Sequence, residues 1–359
     1  MDWIEVPDFG IKKFKTVKNF TSMEFRPSAT SLELDKAIIA MRKERSEQED
    51  MINSKNHVNI VCQSDKLIAP KIKPAEAISD TMWFQGSQNP RTTFFAVKDY
   101  SGNIDYQNKI LLPIDISLYS ETFDLYDKKS LHWATSGGFA NDTSQNIAIA
   151  KGMSELIENH LKMYWWFNAT PLYLINVDEK NILLNVLNNQ LLVQKTRLFL
   201  LDLPSKVGSY VAMFVLETKS FPYVSIGFGA HHNLNASVNH AICESVHYYR
   251  GANWYKLMGE SEKIYTSKNK EILSLINKTA NSKLNSFLDF DEINIDSITR
   301  KFSFFAKTIY SNAIGTTTKV FSTDLQPLVN SVYVPFFDNK LVRNKNINKR
   351  QKYKGVPFI

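Results

Sequence analysis

Residues 136–160, SGGFANDTSQNIAIAKGMSELIENH, put two glycines and a polar turn directly before a long amphipathic run. The turn Asn141-Asp142-Thr143-Ser144 supplies side chains suited to capping a helix N-terminus. Beyond it, Ile147, Ile149, Ala150, Met153, Leu156, Ile157 and Leu161 form a broad apolar stripe at helical spacing. Glu155 and Glu158 stand three residues apart beside that stripe, so they share one helical face at the edge of a core. Two carboxylates so placed repel unless a cation lies between them. A solvated helix face would accommodate them; a metal or phosphate site would use them.

The chain has 359 residues, of which 43% are hydrophobic, enough for a sizeable core. Its formal charge of +7 and pI near 9.1 are mildly basic. Much of the excess lies in Lys340, Arg343, Lys345, Lys349, Arg350, Lys352 and Lys354, a run that reads as a solvated tail or, more sharply, as a contact for nucleic acid or an acidic peptide. Neither nucleic acid nor membrane is the expected partner. Two cysteines, Cys62 and Cys243, give no disulfide framework and suit a reducing compartment. The first residues, MDWIEVPDFGIKKFK, lack the basic and apolar order of a signal peptide. No apolar stretch reaches the roughly 18 residues a membrane span needs. A cytoplasmic protein is expected.

Leu34 to Met51 reads as a helix, apolar first and highly charged later. Val58–Ile68, RTTFFAV, KILLPIDISLY and PLYLINV have the β-branched and aromatic content of strands. TRLFLLDL, YVAMFVLE and YVSIGFGA read as successive strands, followed by a helix from about Ser237 that Gly251 ends. Tyr265 to Thr308 reads as helical and polar in places. A loose recurrence runs through the chain: strand or turn, small residues, then a helix with acidic residues, carrying Glu44/Glu47, Glu155/Glu158 and Glu244 in turn. These patterns predict an α+β fold of mixed sheets with packed helices. One domain over residues 1–359 is expected, with the motifs in 28–250, a helical and strand part in 251–339 and a basic tail in 340–359.

Taken together, the three segments resemble the YcaO superfamily, which holds ATP and magnesium among acidic helix residues of the pattern small-x-x-x-Glu-x-x-Glu. The middle segment is similar to the family's Ser-Asn-Gly-x-Ala-x-Gly-Asn-Thr turn and following Glu-x-x-Glu-Arg, matched by Glu155 and Glu158. Gly137 stands where the family often has Asn, and Asn159 where it usually has Arg. GFGAHHNLNASVNHAICESVHYYRG resembles the Gly-x-Gly strand and the Ala-x-x-x-Glu-x-x-Gln-x-x-Arg helix, with Glu244 and Arg250 matching and His247 in place of Gln. SATSLELDKAIIAMRKERSEQE aligns Glu44 and Glu47 with the first carboxylate pair. Thr30-Ser31 replace the usual Gly-Lys-Gly there, and Gln48 the usual Arg.

The resemblance implies a central ATP site in which Glu44, Glu47, Glu155, Glu158 and Glu244 hold magnesium. Arg250 would balance the transferring phosphoryl charge, and Lys151 would contact phosphate or pair with Glu155. Carboxylates approach a triphosphate only through divalent cations, and magnesium takes carboxylate, water and phosphate oxygens. No G-x-x-x-x-G-K-[ST] sequence exists in the chain, which excludes a Walker site. The implied activity is cyclodehydration of Cys, Ser or Thr in a ribosomal precursor peptide to an azoline. The implied partners are a leader-binding protein and an azoline dehydrogenase. The ending KGVPFI is a short version of the proline-rich tail of azoline-forming members, which makes the carboxylate of Ile359 a candidate general base. Thioamide or amidine formation, or a non-catalytic scaffold, are the alternatives.

His240, Cys243, Glu244 and His247 share a helix and raise zinc as a rival, although zinc needs ligands from converging elements. His231-His232 read as a turn. The aromatic run Met163–Phe167 reads as core packing rather than a base-stacking surface.

Overall fold

The structure, a computed structural model, describes residues 3–19, 27–52, 60–62, 73–74, 93–99, 109–113, 137–175, 181–203, 207–259, 262–280, 282–283, 301–302, 304–311, 315–322 and 325. The basic tail, Ile359 and Ser136 lie outside them. In chain order the elements are strands β1 (Trp3–Val6), β2 (Lys15–Asn19) and β3 (Ser28–Ser31), helix α1 (Leu34–Ile52), and strands β4 (Ile60–Cys62), β5 (Lys73–Pro74), β6 (Thr93–Asp99), β7 (Lys109–Pro113) and β8 (Phe139–Asp142). Helix α2 (Gln145–Asn168), strand β9 (Tyr173–Leu174), helix α3 (Ile182–Asn188) and strands β10 (Val193–Leu200), β11 (Tyr210–Thr218) and β12 (Val224–His231) follow. Helices α4 (Leu234–Leu257) and α5 (Glu262–Thr279) precede strands β13 (Ser282–Lys283), β14 (Phe304–Ser311) and β15 (Thr316–Ser322). The fold is α+β, as the sequence predicts.

The chain divides into two compact units, with boundaries inside α1 and α2. In the first, β1, β2 and β3 form an antiparallel sheet, and β12-β11-β10-β9-β13 form a second sheet, antiparallel except where β13 joins β9. Helix α4 lies on β11 and β12 because both faces are cut to fit. A Cβ at Gly227 would stand 2.0 Å from the Ala241 carbonyl oxygen, and one at Gly229 2.3 Å from that of Ser237. The facing helix residues Ser237, Ala241 and Ser245, four apart, are fully buried. The Ser237 hydroxyl donates to the Gly229 carbonyl at 2.6 Å, so the close approach costs no unsatisfied polar group. Around this seam Phe214, Leu216, Val238, Ile242, Ile11 and Phe14 share one core, each burial contributing about 1.5–3 kcal/mol.

The second unit is built on a sheet of order β5-β7-β6-β14-β15-β8, with β4 pairing β6. Its core includes Phe139, Met153, Leu156, Ile157, Phe304 and Val320. The turn before β8 needs glycine: Gly138 has φ +83°, and a Cβ there would meet the Val320 carbonyl oxygen at 2.3 Å. The same oxygen-to-strand contact is closed by the Val320 N–H, which donates to the Gly138 carbonyl at 2.8 Å.

Three sequence expectations change. Helix α4 begins three residues earlier than Ser237, where Asn233 accepts from the Ala236 N–H, and it runs through Gly251 to Leu257. Burial of Ala252 and the Asn253 bond to the Phe221 carbonyl hold the helix past that glycine, and Gly259 at φ +88° ends it. Phe304–Thr308, in the part expected to hold both helix and strand, is strand, with Phe304 and Ala306 alternating inward until a bulge before Tyr310. Ile147 leaves the apolar stripe of α2 and is 47% exposed in the first turn. The aromatic run at the end of α2 is core: Met163, Trp165 and Phe167 are fully buried.

Candidate functional site

The recurrence seen in the sequence is a repeated structural unit. β3 is followed by α1, β8 by α2 and β12 by α4, each pair separated by two residues. Counted from the first helical residues Leu34, Gln145 and Leu234, the glutamates Glu44, Glu155 and Glu244 all stand at an offset of ten. Each sends a carboxylate oxygen back to a backbone N–H of its own strand or turn. Glu44 accepts from Ser28 at 3.3 Å, Glu155 from Gly138 at 3.1 Å, and Glu244 from Phe228. An offset of ten residues is about three helical turns, which brings the side chain back over the preceding strand or turn. One turn on, the equivalent residues are Glu47, Glu158 and His247.

In the second unit, Glu155 bonds the turn just before β8, Glu47 bonds β8 itself, and Glu158 follows Glu155 by one helical turn. Glu47 accepts from the Asn141 N–H at 3.2 Å. Lys319, from β15 and only 2% exposed, donates to the Gly137 carbonyl at 2.5 Å and lies 4.5 Å from the centre of the Phe139 ring. Burial pushes the Lys319 ammonium below the usual lysine range, while the charges of Glu155 and then Glu47 hold it up. Burial likewise pushes the Glu155 carboxyl well above the carboxylate range; Lys319 opposes that and Glu158 adds to it. Glu158 is paired with Lys162 at 2.5 Å, both side chains more than nine-tenths buried. Lys151 is exposed and pairs with Asp142, not with Glu155. Asn141 donates to Thr317 at 2.8 Å, and Thr317 donates to Asp50 at 2.5 Å.

In the first unit, Arg250 is fully buried, and one of its terminal nitrogens donates to the carbonyls of Ile11 at 2.8 Å and Phe14 at 2.7 Å. Burial lowers its pKa to about 10, so it remains a cation at neutral pH. It sits within α4 rather than at its C-terminal end. Its Nε and Nη1 have no hydrogen-bond partner among the described residues. His247 shares hydrogen bonds with Ser28 at 3.0 Å and Thr30 at 3.4 Å. Cys243 is lifted to about 11 by burial. Among the described residues no group of three or more His, Cys, Asp or Glu is drawn together to hold a metal. That result leaves zinc on α4 without support, and it holds equally for the glutamates of α1 and α2. His231 and His232 stack with ring centres 4.0 Å apart at the end of β12.

Sequence reasoning missed Lys319, Lys162 and Asp142. Lys319 lies in the β-branched run TTTKVF, and a charge inside such a run is the one signal it offers. Lys162 stands one turn beyond Glu158, at i+4. No helix among the described residues is long and apolar enough to cross a membrane.

A sequence search of curated proteins finds no match. Among solved structures, the E. coli microcin synthetase McbBCD complex aligns with a TM-score of 0.74 at 16% identity, covering 99% of this chain and 96% of that one. YcaO from Methanopyrus kandleri, bound with AMPPCP and Mg2+, aligns at 0.65 and 14% identity over 91% of this chain and 86% of that one. A heterocyclase in complex with substrate and cofactor aligns at 0.61 and 14% identity, over 91% of this chain and 50% of that one. These likenesses establish the fold. A family model described as YcaO cyclodehydratase, ATP- and Mg2+-binding, matches residues 102–329, a span that includes Glu155, Glu158, Glu244, Arg250 and Lys319 but not Glu44 or Glu47. That match covers more than half of the chain, and the protein therefore belongs to the YcaO cyclodehydratase family, whose ligands are ATP and Mg2+.

Proposed function

We propose that the chain is an ATP- and magnesium-dependent peptide cyclodehydratase. The observation that carries the reading is the Gly137-Gly138 turn with its helix, which sets Glu155 against a backbone N–H and Glu158 one turn beyond. The donor set suits magnesium: Glu47, Glu155 and Glu158 offer hard carboxylate oxygens, and backbone N–H groups orient two of them. Glu44 and Glu244, oriented in the same way, are the corresponding ligands of the first unit. Magnesium held by these carboxylates would offset the triphosphate's charge.

The substrate is a ribosomal precursor peptide. A Cys thiol, or a Ser or Thr hydroxyl, gives its proton to solvent as it adds to the preceding amide carbonyl, and the resulting oxyanion takes the γ-phosphate of ATP, releasing ADP. Loss of phosphate and of the amide proton then leaves the C=N bond of a thiazoline or oxazoline. Positioning and charge stabilisation would supply most of the rate. Arg250, bonded to the Ile11 and Phe14 carbonyls, fixes the N-terminal segment and contributes positive charge from a buried position. Lys151 is a phosphate contact whose ammonium is held by Asp142. The carboxylate of Ile359 is the proposed base for the amide proton. A separate leader-binding protein presents the peptide, an azoline dehydrogenase would act next, and the setting is cytoplasmic. The McbBCD complex, solved also with pro-MccB17 bound, is a precedent for such an assembly in a protein of this fold.

Co-expression with a candidate precursor peptide and its partner protein, followed by mass spectrometry, tests the reading. Loss of one water per modified residue supports it; replacement of oxygen by sulfur would make the product a thioamide. A second reading, a scaffold with a decayed site, is favoured by the buried Lys319 among the carboxylates. That reading expects no magnesium-dependent ATP binding.

A further inference from the structure

Three loops of the first unit meet at one surface. The Lys12 N–H donates to the Gln190 side chain at 3.0 Å, which ties the N-terminal segment to the turn between α3 and β10. The Lys219 N–H donates to the Leu192 carbonyl at 3.0 Å, which ties that turn to the one between β11 and β12. Tyr249 closes the set: its hydroxyl donates to the Phe9 carbonyl at 3.0 Å and lies 3.4 Å from the Ser220 hydroxyl. Arg250 holds the Ile11 and Phe14 carbonyls on either side of Lys12 and Lys13, so the loop that carries those lysines is fixed from beneath. Lys13 and Tyr223 stand at positive φ, 70° and 64°, a conformation that persists only where the surroundings impose it.

What these loops present is apolar and basic. Leu191 is 93% exposed and Tyr223 51%. Lys12, Lys13 and Lys219 are exposed and take part in no ion pair among the described residues. The carboxylates beside them in sequence are engaged: Asp8 accepts from the Gly10 N–H at 2.8 Å, and Glu217 is paired with Arg197 at 2.9 Å. Single exposed apolar residues are ordinary. Here two of them share a fixed surface with three unpaired cations, the combination of apolar anchor and complementary charge that an interface uses. Leu191 protrudes, so its counterpart must offer an apolar pocket, which a folded protein has and an extended peptide lacks. In a symmetric contact with a second copy the same lysines would face each other, which opposes self-association.

We propose that this surface docks a folded protein partner, one that receives Leu191 in an apolar pocket and sets carboxylates against Lys12, Lys13 and Lys219. The proposal rests on the reading that a separate leader-binding protein serves this chain, and it assigns the surface which that protein uses.

The test measures affinity between the full chain and the candidate leader-binding protein of the co-expression experiment, at low and at high salt. Wild type should bind, more weakly at high salt. Leu191→Asp should lose about tenfold or more in affinity, and the double variant K12E/K219E as much, with a flatter salt dependence. Ile39→Asp, at a 54% exposed position on α1, should bind as wild type does. Hydrogen exchange in the complex should slow at residues 8–13, 189–192 and 219–223. Wild-type affinity in L191D, protection confined to other segments, or no complex at all overturns the proposal. Should K12E/K219E fail to fold by urea unfolding, L191D and the exchange footprint decide. If the complex forms through this surface while mass spectrometry shows no loss of water from the peptide, the docking surface stands and the cyclodehydratase reading fails. Water loss with L191D bound as tightly as wild type keeps that reading and overturns the surface.

Discussion

Glu155 and Lys319 bind the two ends of one peptide group, the amide joining Gly137 and Gly138. Glu155 accepts from the Gly138 N–H at 3.1 Å, and Lys319 donates to the Gly137 carbonyl at 2.5 Å. The turn therefore sets the carboxylate and the ammonium by its own backbone, and its geometry depends on a glycine at φ +83°.

Gly138→Ala should destabilise the fold by about 2–4 kcal/mol, since a Cβ would strike a backbone oxygen in a conformation L-residues avoid. Magnesium–nucleotide affinity should fall with it. Gly251→Ala is the control: nothing lies within 4 Å of its Cβ, and the residue is inside α4. It should stabilise by about 0.5–1 kcal/mol. Urea unfolding of both variants measures the contrast, and equal effects would contradict it.

Glu158→Gln should behave differently from Glu155→Gln. It removes the carboxylate 2.5 Å from the buried Lys162 ammonium, at a cost of about 3 kcal/mol. The double variant E158Q/K162M should recover most of that loss. A Glu158→Gln protein as stable as wild type would mean the pair contributes nothing.

Arg250→Lys should lower stability by about 1–3 kcal/mol, because a lysine cannot hold the Ile11 and Phe14 carbonyls together. Hydrogen exchange should quicken at Thr16 to Asn19 in β2, just beyond the lost contacts. Loss of nucleotide binding with unchanged stability and exchange would instead assign Arg250 to phosphate alone.

Much of this was legible in the sequence because periodicity and small residues leave a local record. The strand and helix runs are recovered from residue content and spacing, and the Glu-x-x-Glu spacing announces a shared face. What stayed hidden depends on partners far along the chain. Lys319 meets the turn at Gly137 across 182 residues, and no local pattern marks such a contact. Gly251 misled for the opposite reason: its helix is held by burial of Tyr249 and Ala252, which outweighs a local breaker. Ile359 and the basic tail lie outside the described residues.

His247 gives a pH signature. Burial first, then Lys18 and Arg250, lower its pKa from 6.5 to about 4, and Ser28 and Thr30 face its ring nitrogens. The folded state thus binds fewer protons than the unfolded one, so stability present above the unfolded value is lost as pH falls toward the folded one. About 2 kcal/mol should disappear between about pH 7 and pH 5 from this group. In His247→Gln that share of the loss should vanish, as urea midpoints at the two pH values would show. Identical losses in both proteins would contradict it.

The most direct measurement is calorimetric titration of ATP into wild-type protein and Glu155→Gln, with magnesium and with chelator. Unscreened carboxylates repel a triphosphate, so wild type should bind ATP only when magnesium is present. Glu155→Gln should lose about tenfold or more of that affinity. Equal ATP affinity in chelator, or a Glu155→Gln protein that binds magnesium–ATP as wild type does, would contradict the account.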